Sequence, residues 1–115
     1  GQGRKVMHGL WGLGLMSLVK TIIVVDHNVD VQNISEVAWR VTNNFDPGED
    51  LVFADGPIDD LDIGSPSPKY GKKMGIDATI KGPLESGRHR EWPPDIAMDP
   101  DVMALVDQKW NNYGI

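Results

Sequence analysis

The chain has 115 residues, no cysteine, and 17 acidic against 11 basic side chains, for a formal charge of −6 at neutral pH. That length fits one compact domain with a real but limited core. Without cysteine there are no disulfides, thiolate metal sites or cysteine nucleophiles, and scattered Lys and Arg in an acidic chain argue against a nucleic-acid surface, which needs clustered cations to release counterions.

Val6 to Val19 is an uncharged apolar run broken by Gly9, Gly12 and Gly14. It is shorter than the ~20 residues that cross a bilayer and has no following small-residue cleavage site, so no membrane span is expected and a reducing cytoplasm is the expected compartment. A first residue other than Met makes the chain read as a fragment of a longer protein. Arg4 to Leu13 is predicted helical, because Met7, Leu10 and Trp11 recur at helical spacing and the glycines then stop it. Close helix packing is the expected use of those glycines; they are no dinucleotide fingerprint, which follows a strand and opens a helix. Thr21 to Val25 is β-branched and apolar on both faces, as in a strand covered from both sides, and is expected to be the central strand.

Asn33 is placed to cap a helix, with Glu36 three residues on. Ile34, Val37, Ala38, Val41 and Phe45 make its predicted apolar stripe, with Glu36, Arg40 and Asn43 facing outward. Asp46-Pro47-Gly48 ends it. Leu51 to Ala54 reads as a second strand, so Thr21 to Ala54 has the length of a right-handed parallel crossover. Asp55 to Lys72, rich in Asp, Gly, Pro and Ser, reads as a long loop. Met74 to Thr79 returns as a strand, Lys81 to Met98 is irregular, and Asp99-Pro100 starts a last helix whose expected buried face is Val102, Leu105, Val106 and Trp110, with Gly114 closing it.

The constellations that carry chemistry are weak. Asp55, Asp59, Asp60 and Asp62 do not have the spacing of a calcium loop and read as a solvated acidic turn capping local backbone donors. Asp26, His27 and Asp30 stand where open α/β sheets gather ligands, yet turn chemistry explains them more simply. His8, His27 and His89 share no zinc spacing. There is no nucleophile elbow, and no glutamate pair makes an acid and base. Arg88, Arg90 and Trp92 suggest an anion or stacking site, against the simpler reading of an Arg paired to an acid with Trp92 packed on the fold. No catalytic, cofactor-binding or metal-binding residue is assigned.

The order of Arg4-Lys5-Val6-Met7, Lys20 to Asp26, Asp46-Pro47, the turn Asp55 to Asp62, the run Lys73-Met74-Gly75-Ile76-Asp77-Ala78-Thr79, and Arg90-Glu91-Trp92 resembles the C-terminal domain of the UbiD family of decarboxylases. Where that family usually has His or an aromatic followed by Ala after Leu61-Asp62, this chain has Ile63-Gly64. The resemblance implies an α/β domain, residues 1–115, with a small, largely parallel or mixed sheet covered by the Asn33 helix and the C-terminal helix. It also implies a parent carboxy-lyase acting on aromatic or α,β-unsaturated acids with prenylated FMN, a divalent metal and potassium. The cofactor and the catalytic groups would lie in preceding domains. This domain would close over the flavin-binding domain of the same chain and support a homo-oligomer, inactive alone, with Ile58 and Leu61 facing substrate. A self-association module without a catalytic role is the alternative, and a small-ligand binder using the Asp26 loop a third.

Overall fold

The computed structural model describes residues 2–86 and 91–114. Its elements are α1 (Gln2–Trp11), a 3-10 turn (Gly14–Leu18), β1 (Thr21–Val24), α2 (Ile34–Asn44), β2 (Leu51–Pro57), β3 (Tyr70–Asp77), the short α3 (Pro83–Ser86), α4 (Pro100–Lys109) and a closing 3-10 turn (Trp110–Asn112). The fold is α/β with a mixed sheet in the order β1-β3-β2, β1 running parallel and β2 antiparallel to β3.

Two expectations about the sheet are corrected. β1 is an edge strand, and β3 holds the centre. β1 and β2 are not neighbours, so Thr21 to Ala54 is no parallel crossover; the parallel pair is β1 with β3. The reason lies in the Asp55 to Lys72 stretch, which is partly regular: β2 runs through Pro57 and β3 begins at Tyr70, closing an antiparallel hairpin. Pro57 fits because it ends an edge strand, where a missing N–H costs no ladder bond.

Alternation along the strands divides the sheet into two faces. On one, α1 packs Met7 against Ile22 and Val52, with Leu10, Trp11, Val19 and Val24 around them. Gly75 makes that contact close: a Cβ there would stand 3.1 Å from Met7 Cγ. The Trp11 indole donates to Val19 O at 3.0 Å, folding the apolar run back over the sheet. The other face carries Phe53 opposite Met74, and Leu51 opposite Ile76, itself opposite Ile23. Phe53 is 68% and Ile23 42% exposed.

Local signals around the helices hold better than tertiary ones. Asn33 Oδ1 accepts from Glu36 N, and Asp99 Oδ1 from Asp101 N, with Pro100 opening α4 and Gly114 at φ +67° just after the last 3-10 turn. The expected stripe on α2 holds in part: Val37, Val41 and Phe45 are half-buried, but Ile34 and Ala38 are exposed, and the fully buried residues are Arg40 and Asn44. The helix packs through polar contacts at its C-terminal half, where Asn44 Nδ2 donates to Ala78 O. α4 does not cover the sheet either, since Val102, Leu105 and Trp110 are all exposed. The Cα radius of gyration of 19.1 Å, against about 13 Å for a compact chain of this length, reflects how far this arm extends. Gly9 and Gly14 face open space and Gly12 touches its own helix; the closest approaches are at Gly3, Gly71 and Gly75.

Candidate functional site

Three features draw polar chemistry to defined places. The first is a buried charge cluster where β3 ends. Lys81 Nζ lies 2.9 Å from Asp50 Oδ2 and 3.9 Å from Asp77 Oδ1, and also donates to the Asn44 and Asp77 carbonyls. Asp77 Oδ1 accepts from the Thr79 hydroxyl at 2.6 Å and from Thr79 N. Asp50 Oδ2 accepts from Asp46 N. The cluster ties the strand end to the α2–β2 connection, with Gly3 of α1 packed on Asp77, the kind of added hydrogen bonding a buried ion pair needs in order to persist. Asp77 therefore has a structural role. Lys73, on the same strand, differs: it is buried, donates to Ser17 O, and burial pushes its ammonium below the usual lysine range.

The second feature is the hairpin loop, residues 58–69. Ile58 is 3% exposed and its N–H bonds Lys69 O, whereas Leu61 is 86% exposed. The two residues expected to form one apolar wall thus stand on opposite sides of the loop surface. The acidic residues act as turn acceptors and ion-pair partners: Asp59 Oδ1 takes Leu61 N, Asp62 Oδ1 takes Gly64 N, and Asp55 pairs with Lys72 at 2.7 Å. Lys20 Nζ reaches Asp62 at 2.9 Å from the start of β1, and that hydrogen bond holds the Asp62 carboxyl below its ordinary range. Among the described residues no three acidic or histidine side chains converge as a metal set.

The third feature is a cavity of ≈160 Å³ beyond the carboxyl ends of β1 and β3, between α2 and the strap of residues 91–99; Trp39, Arg40, Ile80, Trp92, Asp95 and Ile96 are among its walls. Arg40 forms a two-pronged pair with Asp95, Nη1 to Oδ1 at 2.8 Å and Nη2 to Oδ2 at 2.9 Å. That pairing raises the Arg40 pKa and holds the Asp95 carboxyl below its usual range. Trp92 Nε1 donates to Lys81 O at 2.7 Å, fastening the strap at a second point. Arg88, His89 and Arg90 lie outside the described residues; among the described residues the arginine that shares a cavity with Trp92 is Arg40, which was expected to face outward. Nothing local announces its partner 55 residues away. Asp30 Oδ1 accepts from Gln32 N in a local turn, but Asp26 does not serve a turn as expected: its Oδ2 accepts from Ile80 N, 54 residues on, tying the end of β1 to the segment after β3; His27 is exposed, and His8 packs edge-on to Trp11.

For Asp62 and Asp95 the folded-state pKa lies below the unfolded one. The stabilisation each adds is present above the ordinary carboxylate value of about 3.9 and is lost as pH falls through the lowered value. Acidification below the ordinary carboxylate value is thus expected to loosen the 58–69 loop and the strap before the sheet. Amide exchange read residue by residue checks this, and loop and strap amides that stay as protected as those of β3 would count against it.

The family model described as 3-octaprenyl-4-hydroxybenzoate carboxy-lyase C-terminal domain matches residues 1–78. The chain belongs to the UbiD family. An uncharacterised protein of Aquifex aeolicus is 47% identical over the whole chain, which spans 24% of that relative. Among solved structures, vanillic acid decarboxylase of Sedimentibacter hydroxybenzoicus in its closed form superposes with a TM-score of 0.79 at 30% identity, over 98% of this chain and 24% of that one. The UbiD-class enzyme HmfF from Pelotomaculum thermopropionicum, in complex with FMN, gives 0.67 at 28% identity, over 93% of this chain and 23% of that one. This chain thus spans about a quarter of the UbiD relatives it matches. Within it no helix among the described residues is long and apolar enough to cross a membrane.

Proposed function

We propose that residues 1–115 are the C-terminal domain of a larger UbiD carboxy-lyase of the cytoplasm, acting on aromatic or α,β-unsaturated acids with prenylated FMN, a divalent metal and potassium. Its own task is to close over the flavin-binding domain of the same parent chain and to support a homo-oligomer, without decarboxylating alone. The observation that carries this is the second sheet face, where Ile23 and Phe53 stand exposed beside Leu51, Met74 and Ile76. A small sheet with two apolar faces needs a layer on each, and this chain lays α1 on one.

The residues at hand do not fit the flavin. Drug-sized ligands occupy about 300–1,000 Å³, well above the ≈160 Å³ cavity beside Arg40, so the cofactor is assigned to the rest of the parent. The loop carrying Ile58 and Leu61 is proposed to face the substrate, Leu61 as exposed apolar wall and Ile58 as the buried anchor beneath it. Titrating the chain with FMN or prenylated FMN in the presence of an aromatic acid is expected to give neither stoichiometric binding nor carbon dioxide release. Tight binding with turnover would overturn the division of labour.

One observation favours self-association as a second reading: α4, with Val102, Leu105 and Trp110 exposed, offers an apolar face to another molecule. A sedimentation series that stays monomeric at every concentration removes it.

A further inference from the structure

Arg40 is fixed on α2 with its side chain 9% exposed, and its guanidinium lies 4.9 Å from the Trp39 ring centroid. Its partner differs in kind. Asp95 is 47% exposed and belongs to the strap of residues 91–99, which has no helix or strand of its own. A rigid, desolvated guanidinium fork recognises any carboxylate of the right geometry, bidentately and in preference to neutral groups. Beside the fork lies the ≈160 Å³ cavity walled by Trp39, Ile80, Trp92, Pro93 and Ile96. That is the scale of a cavity that holds benzene, about 150 Å³.

We propose that Asp95 is an internal stand-in for an external ligand, and that a carboxylate carried on one small apolar ring takes its place on Arg40 with the ring in the adjoining cavity. Exchange, rather than addition, is required: Arg40 has one positive charge, already matched by Asp95, and Asp26 and Glu36 also act on it. A second carboxylate beside Asp95 would meet the repulsion of Asp95, Asp26 and Glu36. Loss of Asp95 without replacement would strand a buried cation. When the ligand enters, the strap keeps its anchor at Trp92 and loses the one at Asp95, so the segment leading to α4 is released. The site lies away from the hairpin loop and does not depend on flavin chemistry.

An intramolecular partner competes at an effective concentration in the millimolar range or above, so the native chain is expected to bind weakly and a chain lacking the stand-in much more tightly. Benzoate is the probe, followed in the full chain by tryptophan fluorescence and amide shifts of the Trp39 and Trp92 regions. Asp95→Ala is expected to bind benzoate at least tenfold more tightly than the native chain, with benzamide not binding, and Arg40→Gln is expected to abolish saturation. Equal benzoate affinity in native and Asp95→Ala chains, equal response to benzamide, or no saturable binding to Asp95→Ala overturns the proposal. Should Arg40→Gln fail to fold by circular dichroism, the native and Asp95→Ala titrations with the two probes decide alone.

Discussion

Lys81→Met is expected to lower stability by about 3–5 kcal/mol, the usual cost of removing one partner from a buried ion pair. Methionine keeps most of the side-chain length, so the loss is electrostatic more than steric. Asp50 and Asp77 would remain buried, at 7% and 5% exposure, with their common cation gone. The Asn44 and Asp77 carbonyls would lose a donor as well. In a domain whose total stability is about 5–15 kcal/mol, this is a large share, and the melting temperature is expected to fall by roughly 15 °C or more. The double variant Lys81→Met, Asp50→Asn is expected to fall short of the summed single losses by about 1–3 kcal/mol, because the second change removes the charge the first strands. Thermal and urea unfolding of all three variants measures this. A Lys81→Met chain as stable as the native one would show that water, not the lysine, compensates the cluster.

Gly3→Ala is the second large effect, and it comes from shape. Gly3 is buried in the first turn of α1, pressed on the Asp77 carboxylate; an added Cβ would fall within contact distance of the whole group, with Oδ1 at 2.7 Å. Alanine is the better helix former, so on propensity alone the substitution would stabilise by about 1 kcal/mol. Packing wins here, because Asp77 is tied to Thr79 and sits beside Lys81, and cannot turn aside without undoing those contacts. The net cost is expected to be about 3 kcal/mol, at the upper end for overpacking. A stabilising Gly3→Ala would mean that α1 shifts freely over the sheet, which the Met7 contact with Gly75 opposes. Gly9→Ala, where a Cβ meets nothing within 4 Å, serves as the control and is expected to be neutral or stabilising.

What could be read from sequence follows the range of each interaction. Asn33 with Glu36, and Asp99 with Pro100, mark helix starts through groups two or three residues apart, and both starts stand where they were expected. The family was legible for a related reason, since residues such as Lys73 to Thr79 keep their order in the chain. Sheet order was not legible. Thr21 to Val25 has the composition of a covered strand on any sheet, and only the pairing of β2 with β3 through a proline-containing loop sets β1 at the edge. The polarity of α2 misled for another reason: a buried arginine is apolar in its stem and charged at its tip, and its carboxylate comes from the far end of the chain. The apolar residues of α4 were read as core on periodicity. Periodicity identifies a face that wants burial without saying which molecule buries it.

The place of β3 between its neighbours also orders the folding reaction. β2 and β3 are joined by the loop of residues 58–69, a far shorter closure than the one β1 needs, and pair over seven residues, from Leu51 with Ile76 to Pro57 with Tyr70. β1 pairs in parallel with a strand more than fifty residues further along. Loop closure makes the hairpin cheap and the parallel pairing slow. The hairpin is therefore set to form first and β1 to dock onto a strand already made, carrying α1 and its Met7 with it. Until that late step one edge of β3 stays open to strands of other molecules, which makes the interval before β1 arrives the one in which this chain is most exposed to aggregation.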